Sequence, residues 1–566
     1  MTNSNDATFS SGMAIDRRSF LATSSLTIAS ATAPALGASA APWNAGDVVH
    51  ILPTSSHHRI LIKCSLRRAI SHGVTLRVGN RTIPGQRGDH KGLFWSFMVE
   101  DLAPATRYSL SIWHGSRALC ADWPLTTFPA PDSSPDRFRL LTFTCAGGHE
   151  RQRGPDGAEV FRPMDIRRRL LARAMSFEPQ AVIANGDHIY WDQKTGAEST
   201  NAAWAKGWKD LYAGFLKLDH DKPMSDPGNV DAIVQLGNPQ IAGFYGVTLR
   251  SAPTFFVGDD HDYFENDEAN ERQVTFPPTD FMVRAKQAVQ KLFYPEMLPD
   301  PKRPTALSGT REDGLSENFG TLRYGKLFEA LIYDCGQWLD LKGPVARIVP
   351  EEVEDWLVAR TVADDTCHLL HVPSTPMGWS AGKWREWYPD VVVEESAPAT
   401  KNGDTGAVLF KGTGVRTKLT TERPKYMWQP GWFAQHQRLL KALSSNHARP
   451  AVMISGDLHA VGWEKIERSA DLDLSANPVH SILAGPIGTS TWAWPSRVRG
   501  IHAVPPATLT ITGGSQPVEK NGFTIIDVTP DEITFRLFAW REPQLLDAID
   551  TLEPYQVVRL SRKDVA

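Results

Sequence analysis

The sequence predicts an α/β fold with a smaller all-β unit at its amino-terminal end. Three observations predict it. Between about residues 48 and 127 the pattern is short, alternating and turn-punctuated, with no helical spacing; residues 128–135 form a proline-rich join; beyond the join, apolar strands alternate with amphipathic helices. The 566 residues, 41% hydrophobic and 22% charged, suffice for one large domain and a smaller one, and exclude disordered and collagen-like classes. Against 64 Asp and Glu stand 60 Lys and Arg, and the net charge of -4 gives no electrostatic reason for a nucleic-acid partner. An anionic substrate then has to be held locally, by metal.

Residues 1–40 read as a twin-arginine signal peptide. Asp16-Arg17-Arg18-Ser19-Phe20-Leu21 precedes a mild apolar run that ends in the A-x-A site Ala38-Ser39-Ala40. The expected partner is the twin-arginine translocase, and the expected location is a bacterial periplasm or the cell exterior. The run is too short and too polar to span a membrane, and no later segment offers about eighteen consecutive apolar residues, so no transmembrane anchor is expected in the mature chain. In an oxidising compartment the 5 cysteines leave at least one thiol unpaired.

Residues 45–130 are expected to form the all-β unit, with strands such as Arg59-Ile60-Leu61-Ile62-Lys63-Cys64 and Val74-Thr75-Leu76-Arg77-Val78. Leu102-Ala103-Pro104-Ala105-Thr106-Arg107-Tyr108 resembles the E-to-F corner of a fibronectin type III sandwich, where a tyrosine hydroxyl bonds back to the turn. Residues 136–560 are expected to form the α/β domain. Apolar strands are predicted at 138–144, 181–184, 254–257, 328–333, 368–372 and 452–455. A helix is predicted over 164–175, with Ile166, Leu170, Leu171 and Ala174 on its buried face and Arg167, Arg168 and Arg169 away from it. Two stretches, 199–252 and 394–429, read as insertions of the lid or binding-loop kind. Trp204, Trp208, Trp384, Trp387, Trp428 and Trp432 cluster in or beside them.

The carboxyl ends of strands are where α/β sheets build sites. Read in order, these ends give Cys145, then Gly186-Asp187-His188-Ile189-Tyr190, then Gly258-Asp259-Asp260-His261-Asp262, then Gly456-Asp457-Leu458-His459. Each fragment alone is weak, because Gly-Asp is a common turn and acidic strings are usually solvated. Four strand ends, in order along the chain, carrying ligand-type residues make a metal site the better reading.

In these motifs the sequence resembles the calcineurin-like metallophosphoesterase superfamily and, within it, the PhoD-like alkaline phosphatase D family, over roughly residues 45–560. The superfamily motifs run D-x-H, G-D-x-x-D or G-D-x-x-Y, G-N-H-D/E, a single H, and G-H-x-H. Here Cys145 stands for the first, Gly186-Asp187-x-x-Tyr190 for the second, Asp260-His261-Asp262 for the third with Asp in place of Asn, and Gly456-Asp457-x-His459 for the last. The resemblance implies a four-layer β-sandwich flanked by helices, an amino-terminal fibronectin type III-like domain, and an iron and calcium pair. At the fourth motif, His371 in His371-Val372-Pro373-Ser374-Thr375-Pro376 is a candidate ligand, although the PhoD-like pattern emphasises the Ser-Thr-Pro turn. Asp334 matches a family position followed two residues later by Arg, where this chain has Gly336.

The chemistry also follows from the residues. Phosphoester hydrolysis needs a hydroxide nucleophile and neutralised phosphoryl oxygens, and two metals roughly 3.5–4 Å apart supply both. Asp187 is the natural bridge between them. One metal would see Cys145, Asp187, Tyr190 and His459, whose three anions favour Fe³⁺. The other would see Asp187, Asp260 and Asp457, oxygen donors that suit Ca²⁺, Mg²⁺ or Mn²⁺ better than Zn²⁺. His261, beside a ligand, is expected to protonate the leaving group or to bind phosphate, so that His261 and Asp187 are the catalytic pair. The expected function is an exported, metal-dependent phosphatase or phosphodiesterase acting on a small or polymeric phosphoester. Its rivals are a diesterase or phospholipase specialised for one surface substrate, an inactive exported binding protein and an iron redox protein.

Overall fold

The computed structural model describes residues 43–154, 156–191, 202–263, 278–298, 319–340, 342–381, 390–393, 417–420, 426–498 and 502–565. The predicted signal peptide, most of the 394–429 insertion, Trp384 and Trp387 lie outside the described residues.

The first strands are antiparallel and form two small sheets. One pairs Val48–Ser55, Ile60–Leu66, Phe94–Val99 and Gln86–Arg87, and the other is built on Val74–Val78 and Arg107–His114. At the predicted corner the hydroxyl of Tyr108 accepts the backbone N–H of Ala103 at 2.8 Å. That bond fixes the entry into Arg107–His114.

Beyond the join lie two larger sheets. A six-stranded sheet runs in the order Thr254–Val257, Ala181–Asn185, Phe138–Thr144, Asn521–Val528, Glu532–Trp540 and Gln556–Ser561. Its first three strands are parallel, and the carboxyl-terminal strand Asn521–Val528 adds antiparallel to Phe138–Thr144. In the eight-stranded sheet, Phe328–Tyr333, His368–Pro373, Ala451–Ser455 and Val479–Ala484 are parallel neighbours.

Strand alternation sets the layering, because successive side chains point to opposite faces. In the first sheet Leu140, Ile183 and Phe255 share a core with Ala330, Leu370, Val452 and Ile482 of the second. Their neighbours Leu141, Val182 and Phe256 face outward onto Leu170, Leu171 and Ala174 of the helix Met164–Met175. Leu331, Leu369 and Met453 face the other way, onto Trp356 and Leu357 of Glu351–Val362 and Leu439 and Leu440 of Pro430–Ser445. The result is four layers, helix, sheet, sheet and helix. It explains why the parallel strands read as unbroken apolar runs: both faces are covered. Fully burying one such Val, Leu or Ile side chain contributes about 1.5–3 kcal/mol. Among the described residues no helix is long and apolar enough to cross a membrane.

Two expectations are corrected. The described part of the 199–252 stretch is largely helical and packs in the core: Ala202–Tyr212 and Pro227–Gly237 are helices, and Ala232, Ile233 and Leu236 are buried. The Asp and Gly residues that suggested a loop start a helix, since Asp226 caps Pro227–Gly237 by accepting from the Gly228 N–H. Arg167, expected on the exposed face, is fully buried. It donates to the carbonyls of Arg162, Ala146, Gly147 and Gly148, satisfying the chain just after Cys145.

Replacing Tyr108 by Phe deletes the corner bond and leaves the ring. A loss of about 0.5–1.5 kcal/mol is expected, read as an earlier urea unfolding transition of residues 48–126; an unchanged transition contradicts the role given to the corner.

Candidate metal centre

Each candidate ligand sits where a strand of the two large sheets ends and the backbone turns sharply. Cys145 follows Phe138–Thr144, Asp187 follows Ala181–Asn185, Asp260 follows Thr254–Val257, and Asp457 and His459 follow Ala451–Ser455. Four of these residues have left-handed backbones: Cys145 at φ 48°, Asp187 at 56°, Asp457 at 65° and His459 at 48°. For a residue with a Cβ this conformation costs about 1–2 kcal/mol. Such strain gathered in one place marks a functional site, where geometry is held by the surrounding structure.

The turns bring the side chains into three overlapping groups, in each of which the donor atoms lie within 4.8 Å of one another. These are Cys145, Asp187 and His459; Asp187, Asp260 and His261; and Asp259, Asp260 and Asp457. Tyr190 joins the first group, its hydroxyl donating to Asp187 Oδ2 at 2.8 Å and lying 3.5 Å from His459 Nε2. Asp187 thus belongs to two groups, the position a bridging carboxylate needs. Asp259, named in the motif but not as a ligand, also stands among the oxygen donors.

His459 is oriented from behind. Its Nδ1 donates to the Ala493 carbonyl at 2.6 Å, which turns Nε2 toward Asp187 Oδ2, 3.9 Å away. A histidine with one nitrogen on a carbonyl presents the other as a metal ligand. The Cys145 thiol lies against the Thr144 hydroxyl at 3.1 Å. Burial and then the Asp187 carboxylate hold its pKa well above the ordinary thiol range, so thiolate forms there only beside a cation. For Asp187, burial opposes the charge, but the imidazoles of His261 and His459 and the Tyr190 hydroxyl outweigh it and hold the carboxyl below its usual range.

Asp187 Oδ1 is buried and makes no hydrogen bond among the described residues, and a buried carboxylate oxygen of this kind is expensive unless a cation meets it. Together with the thiol, phenol, imidazole and carboxylate donors around it, this atom fits a metal centre. The two histidines are the most open of these groups: His261 is 8% and His459 7% exposed, while Cys145, Asp187, Tyr190, Asp260 and Asp457 are 0–3% exposed. His261 lies with its ring centroid 4.2 Å from that of Tyr190.

His371 joins none of these groups. Tyr333 Oη donates to its Nδ1 at 3.2 Å, and its Nε2 donates to Thr361 Oγ1 at 2.7 Å, whose own proton goes to the Leu357 carbonyl. Burial lowers its pKa to about 3. Both nitrogens are spent on core hydroxyls, so His371 is a satisfied core histidine. The turn after it does position backbone, since Ser374 Oγ accepts the Cys335 N–H at 2.9 Å. Gly336 packs directly on the Asp259 turn, and a Cβ there would come within 2.8 Å of the Asp259 carbonyl carbon. A long side chain at that position has no room in this chain.

Because Asp187 is shared by two donor groups, Asp187→Asn is expected to lose metal from both, with content per chain, measured by mass spectrometry of the metals, falling to near zero. Full retention would mean that Asp187 is not the bridge.

No family model matches the chain, and no curated protein matches it. In three dimensions it is similar to the structure of PhoD, with 13% identity, a TM-score of 0.54, and coverage of 91% of this chain and 90% of that one. It is also similar to the purple acid phosphatase PPD1 from yellow lupin (Lupinus luteus) seeds, with 12% identity, a TM-score of 0.50, and coverage of 92% of this chain and 75% of that one. Likeness at these identities concerns the fold: the chain has the fold of PhoD and of a purple acid phosphatase, and its buried acid, thiol, phenol and imidazole groups converge at the strand ends of that fold.

Proposed function

We propose that this protein is a metal-dependent hydrolase of phosphate esters. The observation that carries the reading is the sharing of Asp187 between a Cys145, Tyr190 and His459 group and an Asp260 group that continues to Asp457. Cys145, Asp187, Tyr190 and His459 would hold one ion, of which Fe³⁺ best suits thiolate and phenolate. Asp187, Asp260 and Asp457 would hold the other, of which Ca²⁺, Mg²⁺ or Mn²⁺ best suits oxygen donors. When bound, such a pair neutralises the phosphoryl oxygens and makes water a nucleophile near neutral pH. An electron-transfer protein has no evident use for a second group built mainly of carboxylates.

The remaining work falls to the chain. Asp187 fixes the separation of the two donor groups, and the Ala493 carbonyl keeps His459 in the tautomer that presents Nε2. His261, the most exposed of these groups at 8%, donates a proton to the ester oxygen as the P–O bond breaks, so that the leaving group departs as an alcohol. The fold of PhoD and of a purple acid phosphatase supports the reaction class. Residues 45–130 are read as a fibronectin type III-like domain and residues 136–560 as the catalytic domain. Export through the twin-arginine translocase rests on the Arg17-Arg18 motif and the A-x-A site.

Metal-replete protein should hydrolyse p-nitrophenyl phosphate or bis-p-nitrophenyl phosphate, lose the activity on chelation and regain it with metal. No turnover of either ester by protein holding two metals would overturn the proposal. His261→Ala should keep its metals and lose roughly 10²- to 10⁴-fold in rate on alkyl esters, with a much smaller loss on nitrophenyl esters, whose leaving group needs no proton. An equal loss on both classes would remove His261 from the acid role.

A further inference from the structure

Two loops meet beside Tyr190 and His459. The first, after Cys145, folds back on itself as a narrow hairpin, with the Gly154 N–H donating to the Ala158 carbonyl at 2.8 Å and the Val160 N–H to the Gln152 carbonyl at 3.3 Å. The second follows the strand Val479–Ala484 and contains the turn Thr491–Ala493. Backbone bonds stitch their bases together: the Arg162 N–H donates to the Gly488 carbonyl at 2.7 Å, and the Ser490 N–H to the Val160 carbonyl at 3.0 Å. Val160, Phe161 and Tyr190 form a small buried cluster there, against which Trp492 and Ala493 pack.

At the tip of the hairpin one carboxylate clasps the second loop. Asp156 Oδ1 accepts the Ala158 N–H at 3.0 Å and the indole N–H of Trp492, and its Oδ2 accepts Arg497 Nη2 at 2.6 Å. The Arg497 guanidinium in turn lies 4.7 Å from the Trp492 ring centroid, a cation held on an aromatic ring. Gly154 lies against the same indole, where a Cβ would collide with the ring. The side chains of Arg497 and Asp156 are 46% and 44% exposed, and an ion pair so open to water adds little to stability. What it does fix is the turn that carries Trp492. The next carbonyl along that turn, of Ala493, accepts His459 Nδ1 at 2.6 Å. Of the proposed ligands His459 is the most exposed, at 7%, so its orientation leans more on this one bond than on packing.

We infer that Asp156, which belongs to no recognised motif, is a positioning residue for the metal centre: through Trp492 it holds the turn whose Ala493 carbonyl keeps the proton of His459 on Nδ1 and turns Nε2 toward Asp187. The inference rests on the metal-centre reading for the purpose of that orientation, but not for the orientation itself. The simpler alternative is that the clasp only closes the hairpin.

Nitrogen NMR of the full chain, histidine-labelled and stripped of metal, reads which ring nitrogen of His459 carries the proton. Zn²⁺ affinity is the second readout, since Zn²⁺ suits thiolate and imidazole. In the parent the proton should sit on Nδ1. Asp156→Ala and Trp492→Phe remove the two ends of the clasping bond, and each should divide the proton between the two nitrogens, because the Ala493 carbonyl no longer fixes it. Each should also weaken Zn²⁺ binding about tenfold, as loss of a group behind a metal-bound histidine does. The signals of His371 and the melting temperature should stay as in the parent. Trp492→Phe keeps the ring and is the variant to use if Asp156→Ala fails to fold. Either parent-like proton placement at His459 or parent-like Zn²⁺ affinity in the folded variants would overturn the inference. So would a change at His371 as large as that at His459, which would mean general loosening. If the unmodified protein binds no Zn²⁺ and hydrolyses no ester, the metal-centre reading falls, and the His459 spectrum still decides whether the clasp orients it.

Discussion

Four backbone N–H groups from two different strand ends converge on the Asp262 carboxylate, and the geometry of the acidic site depends on that junction. Left-handed backbone at Cys145, Asp187, Asp457 and His459 costs energy at every one of those positions. Carboxylates brought together at Asp187, Asp259, Asp260 and Asp457 repel one another unless a cation joins them. A site of this kind persists only where the surrounding structure forces it. The forcing comes from the two mixed sheets, whose shared core fixes where each parallel strand ends, and from Asp262, which sets one turn against the next.

The supports are spread widely through the chain. Arg167, on the helix Met164–Met175, gathers the carbonyls of the segment after Cys145. Gln240, in the stretch expected to be an insertion, accepts the N–H groups of Gly148 and Tyr190 through its Oε1, at 2.8 Å each. Ala493 orients His459 from a segment more than thirty residues on. The donors are thus held by groups whose own rotamers are fixed by packing, as a preorganised site requires.

Much of this was legible in the sequence, because strand-end motifs are local. Cys145, Asp187, Tyr190, Asp260, Asp457 and His459 each follow an apolar run, and the runs were readable because parallel strands are apolar on both faces. The helix Met164–Met175 was legible from its spacing, but the burial of Arg167 was not, since the carbonyls it serves lie outside that helix. The clasp at Asp156 was hidden for the same reason: an acid between two glycines reads as part of a solvated loop, and its partners Trp492 and Arg497 are far along the chain. His371 illustrates the converse, for a histidine at a strand end suggested a ligand until two hydroxyls claimed its nitrogens. The order of strands, with Asn521–Val528 beside Phe138–Thr144, is set by long-range pairing that no local pattern carries.

The central claim is that two cations share Asp187. Anomalous diffraction from crystals of the protein as isolated tests it most directly. The account predicts two peaks about 3.5–4 Å apart, flanking Asp187, one beside Cys145, Tyr190 and His459 and the other beside Asp260 and Asp457. A single peak, or metal bound away from Asp187, would contradict it.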